Sequence, residues 1–259
     1  MRLLNVTVDG SLALTTFIGK QIPSYAILSH TWEPDQEVTF QDLEKGIESS
    51  KSGLKKILFC AAQAQKDGLK YFWVDSCCID KSSSAELQEA INSMFRWYQT
   101  AAKCYVYLSD VTGVDCAPSE WQLAFLQSRW FRRGWTLQEL LAPRSVEFFS
   151  HDGERLGDKD SLEQQIHQAT GISIQALQGM PLSQFPVKER MSWTAKRETT
   201  IEEDQIYCLL GIFDIYMPLI YGEGRRHASR RLQDEIEKQS NPNPQGSAIV
   251  VAAKLHANH

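Results

Sequence analysis

The sequence predicts an α/β fold in which a parallel β-sheet is covered by helices on both faces. Four short apolar segments, residues 25–29, 71–75, 104–108 and 146–149, have the length and composition of buried strands. The chain between them is long enough for crossover helices and carries apolar residues at helical spacing. Alternation of this kind is typical of a parallel sheet between two helical layers.

The elements can be placed in order from the N-terminus. Two short apolar segments within residues 1–24 flank Asp9-Gly10, which predicts a pair of short edge strands. Residues 54–68 have apolar side chains at helical spacing and end at a glycine, a common helix stop. Ser83 stands three residues before a glutamate, which predicts the N-cap of a second amphipathic helix.

The rest of the chain is predicted to be mainly helical. Two short helices are expected near residues 162–170 and 174–177, a third opening at Thr200, and a last one ending near Lys238. We therefore expect one domain over residues 1–238, made of an α/β core (residues 25–150) and a mainly helical extension (residues 151–238). The Asn-Pro-rich residues 239–259 are expected to form a linker or tail.

The composition excludes several classes of protein. The chain has 259 residues and a net charge of −5, which argues against a general nucleic-acid binder. It has no apolar run of the roughly 18 residues that a membrane-spanning helix needs. Its six cysteines are scattered, without the spacing of zinc ligands, so we expect no metal centre. This use of cysteine indicates a reduced protein, with the cytoplasm as its expected location.

Polar and aromatic residues follow the predicted strands where each one ends. His30 and Trp32 follow the first, Asp75 and Asp80 the second, and Asp110 the third. Ligands of parallel sheets bind outside the carboxyl ends of the strands. We therefore expect these residues to lie near one edge of the sheet.

Residues 129–141 combine three arginines, two tryptophans and one acid. Trp135 and Glu139 are four apart and share one face of a predicted helix, an arrangement that places an acid in a partly dry pocket. The alternative is that the tryptophans belong to the core and Glu139 is a solvated helix residue. Arg132 and Arg133 suit either bidentate phosphate binding or surface salt bridges.

Two further arrangements would carry chemistry, and each has a commoner structural explanation. Cys77 or Cys78 with His30 would supply a thiol nucleophile and a base, although buried inert cysteines are far more frequent. Asp75 and Asp80 would suit a divalent metal, although acids at strand ends usually form caps or loop hydrogen bonds.

Three blocks of sequence are long and ordered: YAILSHTW (residues 25–32), FWVDSCCIDK (residues 72–81) and RGWTLQEL (residues 133–140). They resemble the three signature blocks of the fungal heterokaryon-incompatibility (HET) domain. Residues 203–213 and 221–224 resemble that family's downstream region, so the resemblance covers about residues 1–238. It is strongest to the N-terminal HET domain of NLR-type incompatibility proteins, which implies an NLR-type regulator as a partner.

HET domains in turn resemble TIR domains, which implies a TIR-like (flavodoxin-like) parallel sheet with a C-terminal helical extension. The strand ending in Ser29-His30 resembles the first TIR strand. Trp135 followed by Glu139 resembles the TIR stretch in which a tryptophan precedes the catalytic glutamate of NAD-cleaving enzymes. Thr136 departs from this pattern, since TIR domains commonly carry cysteine there, and the helical extension has no TIR counterpart.

The resemblance implies a cell-death effector that cleaves the nicotinamide–ribose bond of NAD, by hydrolysis or cyclisation, with NAD or a related dinucleotide as substrate and no separate cofactor. Glu139 is then the catalytic residue. The implied substrate-binding residues are Ser29, His30, Trp32, Asp75, Cys78, Asp80, Arg133 and Trp135. Self-association is expected, because a shallow site with one acid does not enclose a dinucleotide alone. The rival hypothesis is a non-enzymatic signalling module that self-assembles, in which Glu139 is structural.

Overall fold

The computed structural model describes residues 1–47, 50–112 and 118–240. The predicted tail lies outside these residues from position 241 onward. In the described chain, seven strands form a single sheet. The strands are β1 (Arg2–Val6), β2 (Leu12–Thr16), β3 (Tyr25–His30), β4 (Tyr71–Trp73), β5 (Lys103–Tyr107), β6 (Val146–Phe149) and β7 (Arg155–Asp158).

The strands lie in the order β2-β1-β4-β3-β5-β6-β7. The four predicted strands, β3 to β6, are adjacent and parallel, which confirms the predicted core of the sheet. The predicted pair of short edge strands is confirmed as the β1–β2 hairpin, and the sheet as a whole is mixed because both of its edges are antiparallel. β1 pairs antiparallel with β2 and β4, and β7 pairs antiparallel with β6. Short turns join β1 to β2 and β6 to β7, and such turns allow only antiparallel neighbours.

Helices fill the connections and the C-terminal part. The α-helices of the described chain are α1 (Phe40–Lys45), α2 (Leu54–Lys66), α3 (Asp75–Cys78), α4 (Ser84–Thr100), α5 (Pro118–Gln127), α6 (Thr136–Leu141), α7 (Glu163–Thr170), α8 (Ile174–Leu177), α9 (Val187–Ser192), α10 (Asp204–Tyr207), α11 (Leu210–Phe213) and α12 (Gly224–Ser240). Short 3-10 helices occupy Gly19–Gln21, Arg129–Arg132 and Leu182–Gln184. None of these helices is long and apolar enough to cross a bilayer.

Two neighbouring residues of β3 show that helices cover both faces of the sheet. Successive side chains of a strand point to opposite faces. Ser29 hydrogen-bonds to Glu139 of α6, whereas His30 approaches Lys56 of α2. All four side chains are buried. The prediction of a sheet between two helical layers is therefore confirmed for α2 and α6.

The helical extension packs against α4 and against the start of α6. Gly211 of α11 lies so close to Phe95 of α4 that a Cβ at this glycine would overlap the phenylalanine. Arg133 and Glu198 form an isolated parallel bridge, and Gly134 N–H donates to Glu198 O at 2.9 Å. The helix predicted to open at Thr200 instead begins at Asp204 and is broken into α10 and α11.

Candidate functional site

A cavity of about 450 Å³ opens at the carboxyl ends of β3 and β4. This volume is within the range of small-molecule sites. Besides residues 133–136 and Glu139, three elements of different origin form its walls. The strand ends contribute His30, Trp32 and Asp75, α4 contributes an apolar wall, and the extension closes the third side with residues 198–201, Asp204 and Tyr221.

Glu139 lines this cavity and is only 7% exposed. Its Oε2 accepts a hydrogen bond from the Ser29 hydroxyl, which in turn accepts one from Trp130 Nε1 at 2.8 Å. Burial raises the pKa of Glu139 to about 8, and the hydrogen bond from Ser29 opposes that rise. Within the described residues Glu139 forms no ion pair with Arg132 or Arg133, so a surface salt bridge does not explain this acid.

Arg197 fixes the start of the helix that carries Glu139. Its Nη1 donates to Arg133 O at 2.8 Å and to Thr136 Oγ1 at 2.7 Å, while Thr136 donates to Trp130 O at 2.6 Å. The arginine is 4% exposed, and burial lowers its pKa to about 10 while the charge of Glu139 opposes that shift. The hydroxyl of Thr136 is thus the junction between the extension and α6.

Asp75 carries the negative charge at the cavity mouth. Its Oδ1 lies 3.0 Å from His30 Nε2, and its Oδ2 accepts from Trp32 Nε1 at 2.9 Å. Lys81 Nζ lies 3.9 Å from the same Oδ2. Burial alone would raise the pKa of Asp75, but the charges and hydrogen bonds of Lys81, His30 and Trp32 hold it well below its usual range.

His30 is held from behind by a buried ionic network. Its Nδ1 lies 3.4 Å from Lys56 Nζ and 3.7 Å from Glu37 Oε2. Lys56 also donates to Thr31 O at 3.0 Å and pairs with Glu37. Both ring nitrogens of His30 therefore face protein groups, which fixes the imidazole and, through it, Asp75.

The structure does not bring three of the predicted residues to the cavity wall. Ser29 lies beneath it, where it positions Glu139. Cys78 is buried on the single turn of α3, with its Sγ accepting from Val74 N at 3.4 Å. Asp80 accepts from Ser82 N and Gln41 Nε2 and stabilises the loop instead.

These positions also bear on the two alternative chemistries. Burial raises the pKa of Cys77 well above its usual value, which opposes a thiolate nucleophile. A metal site would need the carboxylates of both Asp75 and Asp80. The carboxylate of Asp80 instead accepts hydrogen bonds within its loop. The commoner structural explanations therefore describe both groups.

Several cavity residues were missed by the sequence reasoning. Lys81 is the last residue of the second sequence block, and its Nζ lies 3.4 Å from the ring centroid of Trp32. Asp204 and Tyr221 come from the extension, where Tyr221 Oη donates to Asp204 Oδ1 at 3.0 Å. Burial raises the pKa of Asp204. Both lie in downstream segments that resemble the HET family, and that was the available signal.

Arg133 and Trp135 both line the cavity. Arg133 forms no ion pair with the described residues, and its positive charge opposes the raised pKa of Asp204. The cavity thus combines two acids of raised pKa (Glu139 and Asp204), two further acids (Asp75 and Glu198), the basic side chains of Lys81 and Arg133, and two indoles. This set suits a ligand with both a cationic ring and phosphate groups.

The chain is similar in sequence to known proteins of one family. Residues 25–119 match the family model described as heterokaryon incompatibility protein (HET). The chain is 57% identical over 244 residues to the vegetative incompatibility protein HET-E-1 of Podospora anserina. That alignment covers 92% of this chain but 18% of the relative, so the chain spans a minor part of that protein. No solved structure gives a significant match. This chain therefore belongs to the heterokaryon-incompatibility (HET) domain family.

Proposed function

We propose that this chain is the effector domain of a fungal incompatibility response and that its cavity cleaves the nicotinamide–ribose bond of NAD. The observation that carries the proposal is the setting of Glu139, a buried acid with a raised pKa in a cavity of about 450 Å³. Buried acids of this kind, in a cleft with specific polar partners, are typical of catalytic sites.

The sheet supports a TIR-like fold for this domain. Taken in chain order, the four parallel strands lie second, first, third, fourth across the sheet. This is the order in flavodoxin-like sheets, where ligands bind at the point between the first and third strands. Ser29 and His30 end the first of these strands, next to β5. The cavity agrees with the broader rule that ligands bind outside the carboxyl ends of the strands, although it opens at the ends of the first and second strands rather than between the first and third.

The chemistry requires only one acid. When the glycosidic bond breaks, its electron pair leaves with nicotinamide, which departs as a neutral ring without protonation. The ribose carbon is left as an oxocarbenium-like centre. Water adds to it and releases a proton, which gives ADP-ribose. A carboxylate beside this centre stabilises the positive charge as it develops. We assign that role to Glu139.

The protonation state of Glu139 is coupled to substrate binding. With a pKa of about 8, the acid is mostly protonated in the empty cavity at neutral pH. The positively charged pyridinium of NAD lowers the pKa of a neighbouring carboxyl group. The hydrogen bond from Ser29 and the charge of Arg197 act in the same direction. Substrate binding therefore favours the ionised form that the reaction needs.

The remaining cavity residues bind the rest of the substrate. Trp32 and Trp135 offer indole faces to its rings, and Arg133 offers a guanidinium to the diphosphate. We further propose that the domain acts in the cytoplasm, self-associates, and is controlled by an NLR-type regulator.

The direct test is NAD turnover by purified wild type and Glu139→Gln, with thermal unfolding measured on the same preparations. Gln keeps the shape but loses the charge, so we expect turnover to fall by roughly 10²-fold or more. Glu89→Gln, which alters an exposed glutamate of α4, is the matched control and should behave as wild type. Equal turnover in folded Glu139→Gln would exclude the catalytic role. If wild type also leaves NAD intact, the non-enzymatic, self-assembling signalling module becomes the better description.

A further inference from the structure

The side chain of Lys81 occupies the indole face of Trp32. Its Nζ lies 3.4 Å from the ring centroid and 3.9 Å from Asp75 Oδ2. The edge of the same indole donates to that same oxygen at 2.9 Å. An ammonium group therefore rests in a corner formed by an aromatic face and a carboxylate.

Such a corner favours a positive charge. The face of an indole attracts cations more strongly than other aromatic rings do, and a neighbouring carboxylate adds to that attraction. Asp75 is ionised because Lys81, His30 and Trp32 stabilise its charge. In the empty cavity, the ammonium group of Lys81 occupies this corner and compensates the charge of Asp75.

The corner is fixed, whereas its occupant is loosely held. Asp75 is held by His30 and Trp32, and His30 by the buried network of Lys56 and Glu37. Lys81, in contrast, has a side chain that is 34% exposed. Its described polar contact is a long ion pair with Asp75 rather than a hydrogen bond. A flexible lysine can swing into water at a small enthalpic cost.

We propose that Trp32 and Asp75 form a subsite for a planar organic cation, and that the cation takes this place by displacing the ammonium group of Lys81. This inference rests on the proposed function in one respect, since the pyridinium ring of NAD is a ligand of this class. A flat cation stacks on the whole indole face and pairs with Asp75, so the charge in the corner is conserved. A neutral ring of the same size gains the stacking but leaves Asp75 without the cation that Lys81 had supplied, so that its charge is stabilised by His30 and Trp32 alone.

The probe for this subsite is 1-methylnicotinamide, a pyridinium without a glycosidic bond, titrated into the full chain by calorimetry. Neutral nicotinamide is the reference ligand. We expect the cation to bind about ten-fold more tightly, the size of effect that a partly desolvated cation–π contact provides. Trp32→Leu and Asp75→Asn should remove this preference, and Trp32→Phe should retain part of it. Melting curves of each variant separate loss of the subsite from loss of the fold.

Two substitutions at one position test the displacement. Lys81→Met removes the internal competitor and should strengthen 1-methylnicotinamide binding several-fold. Lys81→Arg keeps a cation over the indole and should stay near wild type or bind more weakly. Weaker binding by Lys81→Met would overturn the displacement. Equal affinity for the neutral and charged rings would overturn the cation subsite, and equally tight binding of tetramethylammonium would overturn its planarity.

The outcome is separable from the proposed reaction. If the protein binds 1-methylnicotinamide but leaves NAD intact, the subsite is supported and the proposed cleavage of NAD is refuted. If the protein cleaves NAD but shows no preference for the charged ring, the proposed reaction is supported and the subsite is refuted.

Discussion

Ser29 donates a hydrogen bond to Oε2 of Glu139, although 110 residues separate the two in the chain. The same hydroxyl accepts from Trp130 Nε1 at 2.8 Å. A hydrogen-bond chain thus runs from Trp130 through Ser29 to Glu139. Because Ser29 lies near the end of β3 and Glu139 belongs to α6, the position of the acid depends on how α6 packs on the sheet.

Ser29→Ala should shift the pH dependence of NAD cleavage. The hydrogen bond from Ser29 opposes the raised pKa of Glu139, so its loss raises that pKa further and moves the ascending limb of kcat/KM to higher pH. The change also leaves the Trp130 indole N–H unpaired, at a cost of about 1–3 kcal/mol in the free energy of unfolding. Ser93→Ala, at a buried serine outside this hydrogen-bond chain, is the control. An unchanged profile in Ser29→Ala would contradict the assigned role of the hydroxyl.

The raised pKa of Glu139 should make the protein less stable as pH rises. Its ordinary pKa is 4.5 and its folded value is about 8, so between these values the folded state holds the proton that the unfolded state has lost. The free energy of unfolding then falls with rising pH, in total by a few kcal/mol, and levels off above about pH 8.

Thermal unfolding of Glu139→Gln against wild type isolates this effect. The variant lacks the titrating group, so its stability does not fall with this titration. The melting temperature of the variant minus that of wild type should therefore increase between about pH 5 and pH 9. A constant difference across this range would show that the carboxyl group titrates near its ordinary pKa.

The sequence predicted the parallel core because the signal for it is local. Short apolar strands alternate with amphipathic helices, and such units have one common arrangement. It also predicted the hairpin of short edge strands within residues 1–24, but not the strand that this hairpin joins; β1 pairs with β4 through a single partner pair, Leu4 and Phe72. Nothing local to residues 1–24 specifies that edge.

The site was predictable to a similar extent. The strand-end rule placed His30, Trp32 and Asp75 at one cavity, and the structure has them there. The rule placed Asp80 at the cavity, whereas the structure has its neighbour Lys81 there. Loop hydrogen bonds turn Asp80 to Ser82 and Gln41, and these follow from local backbone geometry. The third wall comes from the extension, and no periodicity in its sequence indicates which element it packs against.

Self-association should be needed for activity. The cavity mouth is open enough to leave Trp32 37% exposed, so we expect a second chain to complete the enclosure of a dinucleotide. NAD turnover per molecule should therefore rise steeply with protein concentration, in parallel with the assembly state measured by light scattering. A constant turnover per molecule, from dilute monomer upward, would show that one chain is sufficient.

The seam between the extension and α6 can be tested with one pair of residues. A Cβ at Gly134 would overlap Thr199 Cγ2, while its next contact, Cys208 Sγ, is at an ordinary 3.4 Å. Gly134→Ala should therefore push the extension away from the cavity and lower stability by about 1–3 kcal/mol, as overpacking does. NAD turnover should fall with it, since Gly134 and Thr199 both line the cavity.

Thr199→Ser removes only the methyl group that this Cβ would meet. Serine keeps the hydroxyl, which donates to Ile201 O at 2.6 Å, so the single variant should stay close to wild type. In the double variant, the Cβ introduced at position 134 fills the space left by the methyl group, and stability and turnover should both recover. A double-mutant cycle of melting temperatures and turnover measures this coupling. If the two effects simply add, the contact between Gly134 and Thr199 does not hold the extension against the cavity.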